Sequence, residues 1–186
     1  MNATITSTAH YVPEQILTNS DLEKLVDTSD EWIKSRVGIN QRHVVSDGEA
    51  SSDMSTKVAY SLLEKRGINA TDIDVIIIGT VTPDHPTPST AAIVQNNINA
   101  ENAWAFDLSA ACSGFLYALE TGAKFIESGQ YKTIMVIGVD TMTSILDFED
   151  RETCIIFGDG AGGVILEASN SNTGILGSVL KTDGSG

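Results

Sequence analysis

Basic residues are scarce in this sequence of 186 residues: Lys and Arg total 11 against 25 Asp and Glu, a formal net charge of −14. A surface of that sign repels phosphate backbones and argues against a nucleic-acid binder. Cysteine is scarcer still. Cys112 and Cys154 are the only two, far apart and without C-x-x-C spacing. That excludes a disulfide framework and points to a reducing compartment with at most one reactive thiol. No uninterrupted apolar run approaches the ~18 residues a membrane helix needs. The opening segment Met1–Val12 lacks the basic region and apolar block of a secretory signal. The expected setting is cytoplasmic, with neither a membrane nor a nucleic-acid partner. His10, His43 and His85 stand alone, with no HxxxH or HExxH pattern, so no metal site is expected.

What is present is an apolar fraction of 41%, or roughly 47% when Gly is counted in place of Tyr, ordinary for a soluble globular domain, in a length that fits one domain or half of a larger one. Strand-like and helix-like blocks alternate. Val75-Ile76-Ile77-Ile78 is short, apolar and β-branched, as a strand buried on both faces is, and Ala103–Leu108 and Ile134–Val139 read similarly. Ser89-Thr90 can cap a helix running to about Ile98. A longer helix runs from about Cys112 to Ser128, with Phe115, Leu116, Leu119, Ala123 and Ile126 near 3.6 spacing and Gly129 as its stop. Ser51-Ser52-Asp53 opens another, with Met54, Val58, Leu62 and Leu63 on one face and Gly67 at its end. Ala3–Val12 and Ala161–Glu167 add strands. The alternation predicts an α/β fold with a largely parallel sheet covered by helices. Ile175–Leu180 reads as one more strand, followed by the turn sequence Lys181–Gly186. A strand with no covering helix after it suggests an interrupted domain.

Asp107-Leu108-Ser109-Ala110-Ala111-Cys112-Ser113-Gly114-Phe115 concentrates the most chemistry: a buried strand, a turn of small residues, then a long helix opened by a cysteine. A thiolate there faces unpaired backbone N–H groups and the positive end of the helix dipole. An ordinary thiol is about 3% ionised at neutral pH, and a helix end worth up to ~2 kcal/mol would raise that to roughly half. The alternative is a buried, inert cysteine, a common fate for this side chain. Cys154, inside Thr153-Cys154-Ile155-Ile156-Phe157, reads as core.

Around Trp32, Thr28 or Ser29 caps a short helix with Asp30 and Glu31 in its first turn and Gly38 at its end. Trp32 and Arg36 share a face, and with Lys34 and Arg42 three of the 11 basic residues fall in a short stretch. An aromatic plane beside guanidinium groups suits a nucleotide with phosphates. The simpler reading is a partly buried Trp beside a solvated Arg. Gly158-Asp159-Gly160-Ala161-Gly162-Gly163 satisfies G-x-G-x-x-G, yet the strand-like Val164–Ser169 follows where a dinucleotide fingerprint needs a helix. These glycines instead mark a tight turn or close backbone packing. Asp147, Glu149, Asp150 and Glu152 read as a solvated acidic loop, with Arg151 alone among them.

Taken together, three motifs carry a resemblance. They are Thr28-Ser29-Asp30-Glu31-Trp32-Ile33 with Arg36, Gly38-Ile39 and Arg42-His43; Ala110-Ala111-Cys112-Ser113-Gly114; and Asp150-Arg151 followed by Ile155–Gly162. The chain resembles the N-terminal portion of the β-ketoacyl-acyl-carrier-protein synthase III family, acyltransferases that initiate bacterial type II fatty-acid synthesis. The resemblance implies the thiolase fold, whose two similar halves form an αβαβα sandwich. Residues 1–186 would then be the nucleophile-bearing half, the C-terminal half lying outside this chain. It implies that Cys112 takes an acetyl or short acyl group from coenzyme A, a substrate rather than a resident cofactor. The acyl-enzyme then condenses with malonyl-acyl carrier protein, losing CO2. Trp32 and Arg151 would sandwich the adenine, with Thr28 beside it and Arg36 near the phosphates. Met142 and Phe157 match acyl-pocket positions. Thr87, in the loop Asp84–Pro88, would reach the partner's pocket across a homodimer. The family's catalytic His and Asn and most of its basic docking surface lie in the second half, so this portion alone is expected to be inactive in condensation. Related readings are a polyketide-priming or 3-hydroxy-3-methylglutaryl-CoA-type synthase, or a non-catalytic scaffold half.

Overall fold

A computed structural model describes residues 1–185; Gly186, the end of the expected turn sequence, lies outside the described residues. In chain order the elements are β1 (Asn2–Tyr11), β2 (Gln15–Thr18), α1 (Asn19–Leu22), α2 (Asp30–Val37), β3 (Gln41–Val44), α3 (Ser51–Arg66), β4 (Val75–Gly79), α4 (Thr90–Asn97), β5 (Trp104–Leu108), α5 (Gly114–Glu127), β6 (Thr133–Thr141), α6 (Arg151–Cys154) and β7 (Asp159–Ser169). One five-stranded sheet has the order β1-β7-β6-β4-β5, and β2 and β3 form a separate hairpin. β4 runs parallel to β5 and β6, while β7 is antiparallel to both β6 and β1. The sheet is therefore mixed, with four strands pointing one way. β7 reverses because the segment joining it to β6 carries only a 3-10 turn at Met142–Ser144 and the short α6, with no helix long enough to cross the sheet.

β4 is buried along its whole length, and its alternate side chains serve two cores. Val75 and Ile77, with Ile134, Val136, Val164 and Leu166, pack under α5 on Ala118, Ala123 and Ile126. Ile76 and Ile78, with Met135, Ile137 and Ile165, face the other way onto Met54, Val58 and Leu62 of α3 and Ala91 and Val94 of α4. This is a helix–sheet–helix arrangement of the α/β class, a mixed, mostly parallel sheet covered by helices on both faces. Each of these isoleucines contributes roughly 1.5–3 kcal/mol by leaving water. Ile77→Ala would cost about 2–5 kcal/mol through the cavity it leaves.

Three sequence expectations change, and one open reading is decided. Cys112 does not open the long helix: it sits in a separate 3-10 turn, Ala111–Ser113, and α5 begins at Gly114. Leu116 is not on the buried stripe of α5 and is 56% exposed. The buried residues are Gly114, Ala118, Gly122, Ala123 and Ile126, whose small members bring the helix axis close to the sheet; a Cβ on Gly122 would lie 3.1 Å from Leu166. Ile175–Leu180 is not a strand. Its one bond to the sheet is Ile175 N–H to the Ala3 carbonyl at 2.9 Å, so no ladder forms and Val179 is left 83% exposed. Of the two readings of Gly158–Gly163, the tight turn is ruled out, because β7 runs straight through Gly160, Gly162 and Gly163. They allow close packing instead: a Cβ on Gly163 would stand 2.9 Å from Ile137.

Candidate active site

The nucleophile turn is placed by glycines of the sheet beneath it. Gly79 of β4 pairs with Gly138 of β6, which pairs with Gly162 of β7, giving one cross-strand row without side chains. The start of α5 rests in that trough. A Cβ on Gly79 would come 2.7 Å from the Gly114 carbonyl carbon, and one on Gly138 would come 3.1 Å from Cβ of Phe115. Backbone-to-backbone approach of this kind is open only to glycine. Ahead of α5 the chain bends sharply, with Ala111 in the left-handed region at φ 46°, a strained conformation for a residue with a Cβ. The bend leaves Cys112 exposed at the mouth of α5. Ser113, at the helix cap, makes no side-chain bond to the first turn, and that turn carries no acid. The positive end of the helix is thus not neutralised from within.

Cys112 lines a cleft of about 740 Å³ with Gly79, Val81, Phe115, Asp140, Met142 and Phe157. The structure thereby brings together the expected nucleophile and two of the three expected acyl-pocket residues. Thr87 does not join them. It is exposed in its loop, whose His85 and Pro86 line a smaller cavity of about 440 Å³ with Phe106 and Asp107. Asp140 is a wall residue that the sequence reading missed. Its Oδ1 accepts from the Thr80 hydroxyl at 3.1 Å, the Val81 N–H at 2.8 Å and the Thr82 hydroxyl at 2.9 Å, fixing the turn that carries Val81. The available signal was a carboxylate closing the apolar run of β6.

Cys154 is fully buried with Leu22, Ile33 and Ile155. Burial pushes its thiol up, the charge of Asp150 adds to this, and Arg42 opposes it. A thiol held neutral and out of solvent is a core group.

The tryptophan region is built by α2 and α6. The Ser29 hydroxyl caps α2 by accepting from Trp32 N–H at 3.1 Å, and Gly38 ends it at φ 73°. Asp150 caps α6 by accepting from Glu152 N–H and the Thr153 hydroxyl, while Asp147 and Glu149 of the acidic stretch stay exposed in the loop ahead of it. Arg151, the first residue of α6, lays its guanidinium 4.4 Å from the centre of the Trp32 ring, and that of Arg36 lies 6.0 Å away. The Thr28 hydroxyl is buried without a partner among the described residues. Thr28, Trp32, Arg36 and Arg151 thus share one region but do not line the Cys112 cleft. Residues 151–157 connect the two places, with Arg151 at one end and Phe157 at the other. Arg151 lies directly on Trp32, so a planar base between them requires the guanidinium to withdraw by roughly 3.5 Å, one contact distance. Among the described residues no His, Cys, Asp and Glu cluster is placed to hold a metal ion.

The family described as 3-oxoacyl-[acyl-carrier-protein (ACP)] synthase III matches residues 106–184. The β-ketoacyl-[acyl-carrier-protein] synthase III of Chlorobaculum tepidum is 60% identical over 186 residues, covering 99% of this chain and 56% of the relative. That of Streptococcus sanguinis is 55% identical over 183 residues, covering 98% and 56%. The crystal structure of 3-oxoacyl-[acyl-carrier-protein] synthase III from Aquifex aeolicus superposes with a TM-score of 0.89 at 45% identity, over 91% of this chain and 55% of that one. The priming β-ketosynthase of the R1128 polyketide pathway superposes with a TM-score of 0.88 at 31% identity, over 91% and 51%. The chain spans about half the length of the curated relatives it matches.

Proposed function

We propose, from the premise that this chain is a relative of the 3-oxoacyl-[acyl-carrier-protein] synthases III and carries their N-terminal portion, that it is the nucleophile-bearing part of a decarboxylating condensing enzyme. The observation that carries the proposal is the exposed Cys112 thiol on a strained turn, in a cleft it shares with Met142 and Phe157. In the first half-reaction the Cys112 thiolate attacks the carbonyl carbon of a short acyl-coenzyme A. A new C–S bond forms, and coenzyme A leaves as its thiol with a proton from the medium. In the second, malonyl-acyl carrier protein loses CO2. The electron pair left on its α-carbon attacks the acyl carbonyl, a C–C bond forms, and the Cys112 thiolate is released.

Coenzyme A serves as substrate, with no resident cofactor. Trp32, Arg151, Thr28 and Arg36 hold its nucleotide end, the base entering beside Trp32 as Arg151 withdraws. The unpartnered Thr28 hydroxyl supports a ligand there, since a buried polar group left unpaired is costly. The His and Asn that stabilise developing negative charge belong to the remainder of the parent protein. The parent works as a cytoplasmic homodimer in which Thr87 reaches the partner's pocket. Support for that comes from β5, an edge strand that presents Trp104, 42% exposed, stacked on Phe106 beside the Thr87 loop.

A polyketide-priming synthase is the second reading, and 31% identity against 45–60% favours the first. The test uses the full-length protein with acetyl-coenzyme A and malonyl-acyl carrier protein. Acetoacetyl-acyl carrier protein and CO2 are expected in equal amounts, and neither from Cys112→Ala. Condensation that survives in Cys112→Ala, or none from the unaltered enzyme, overturns the proposal.

A further inference from the structure

We infer that Arg42 is a positioning residue, a buried strut that sets Trp32 against Arg151 and so tunes binding of the nucleotide end of the donor. This role rests on the proposed nucleotide clamp. Arg42, on β3, is 4% exposed and has no carboxylate partner among the described residues. Its guanidinium instead spans two neutral acceptors. Nη1 donates to Asn19 Oδ1 at 2.8 Å, and Nη2 donates to the Ile155 carbonyl at 2.6 Å. Asn19, 1% exposed, passes the link on: its Nδ2 donates to Asp30 Oδ1 and to the Ile39 carbonyl, both at 2.9 Å.

Asp30 begins α2, the helix of Trp32 and Arg36, and Ile39 follows it. Ile155 sits between Arg151 and Phe157. The stem of Arg42 also backs the chain at Gly158, where a Cβ would lie 2.8 Å from its own. Arg42, acting through Asn19, therefore ties α2 to the 151–158 segment. An uncompensated buried cation is expensive, and hydrophobic residues of like volume would serve plain stability better. What a planar fork with fixed donor directions supplies is a set distance between two acceptors. A lysine has the charge but not the fork.

The experiment compares kcat and KM of the full-length enzyme for acetyl-coenzyme A and for acetyl-pantetheine, which lacks the nucleotide. Arg42→Lys should raise KM for acetyl-coenzyme A by about 5- to 30-fold, leave kcat within two-fold and leave both constants for acetyl-pantetheine unchanged. Asn19→Ala cuts the strut at its other end and should do the same, which carries the test if Arg42→Lys fails to fold. In a Trp32→Ala background either change should have little further effect, because coupled residues are not additive. Equal losses on both donors would show a structural role only and overturn the inference, as would no loss on either. If the unaltered enzyme does not distinguish the two donors and Trp32→Ala is silent, the clamp reading falls and the inference falls with it.

Discussion

At the scale of single residues, the two cysteines have opposite fates that their chemistry explains. Cys112 is exposed on a strained turn of small residues, whereas Cys154 is fully buried and burial pushes its thiol up. Iodoacetamide at neutral pH should therefore modify Cys112 alone, with Cys154 reacting only after denaturation; peptide mapping by mass spectrometry reads the difference. Comparable labelling of both in the native protein would contradict this. The strand–turn–helix context of Cys112 was legible in the sequence because the determinants are local: an apolar run, a few small residues and a second apolar run. The stacking of Arg151 on Trp32 was not legible in the residues alone, and neither was the Arg42–Asn19 link. Each joins positions far apart in the chain, and nothing in the immediate neighbourhood of either partner records the other.

At the scale of elements, the start of α5 reaches the sheet over glycines. Gly79→Ala places a methyl 2.7 Å from the backbone of Gly114, where no flexible side chain can yield. We predict a loss of about 1–3 kcal/mol, measured by denaturant unfolding, together with slower alkylation of Cys112 as its turn shifts. Unchanged stability and labelling would refute the trough. The start of α6 adds a pH dependence. The Thr153 hydroxyl and then the Glu152 N–H hold the Asp150 carboxyl below its ordinary value. Its contribution is thus complete above that ordinary value, near pH 3.8, and is lost as acid carries the pH down through the lower native one. Asp150→Asn should flatten the acid limb of thermal stability around and below pH 4; an unchanged limb counts against the cap.

The elements β4 and β6 were readable because each is a buried β-branched run, and β5 because it is a short apolar, aromatic one. The reversal of β7 was not, since strand direction depends on whether the connection crosses the sheet. Ile175–Leu180 has strand composition but makes a single bond to the edge of β1, which shows composition without a partner to be insufficient.

At the scale of the whole molecule, the chain folds as a two-sided helix–sheet unit yet spans about half the length of its relatives. Apolar side chains remain exposed on several faces, among them Leu116 of α5 at 56%, Ile145 at 63% and Leu176 at 73%. If the chain is the nucleophile-bearing part of a condensing enzyme, the remainder of the parent protein covers part of this surface and brings the His and Asn. The purified 186-residue chain should accordingly give no detectable acetoacetyl-acyl carrier protein, even when supplied with both substrates. Turnover by this chain that disappears in Cys112→Ala would mean the catalytic set is already complete within it.

The nucleophile assignment is tested most simply by the intact mass of the full-length protein after incubation with acetyl-coenzyme A alone. One acetyl adduct should form, map to Cys112, be removed by neutral hydroxylamine and be absent in Cys112→Ala. An unmodified protein, or an adduct on Cys154 or on a lysine that persists in Cys112→Ala, would contradict the assignment of Cys112 as the acyl-carrying nucleophile.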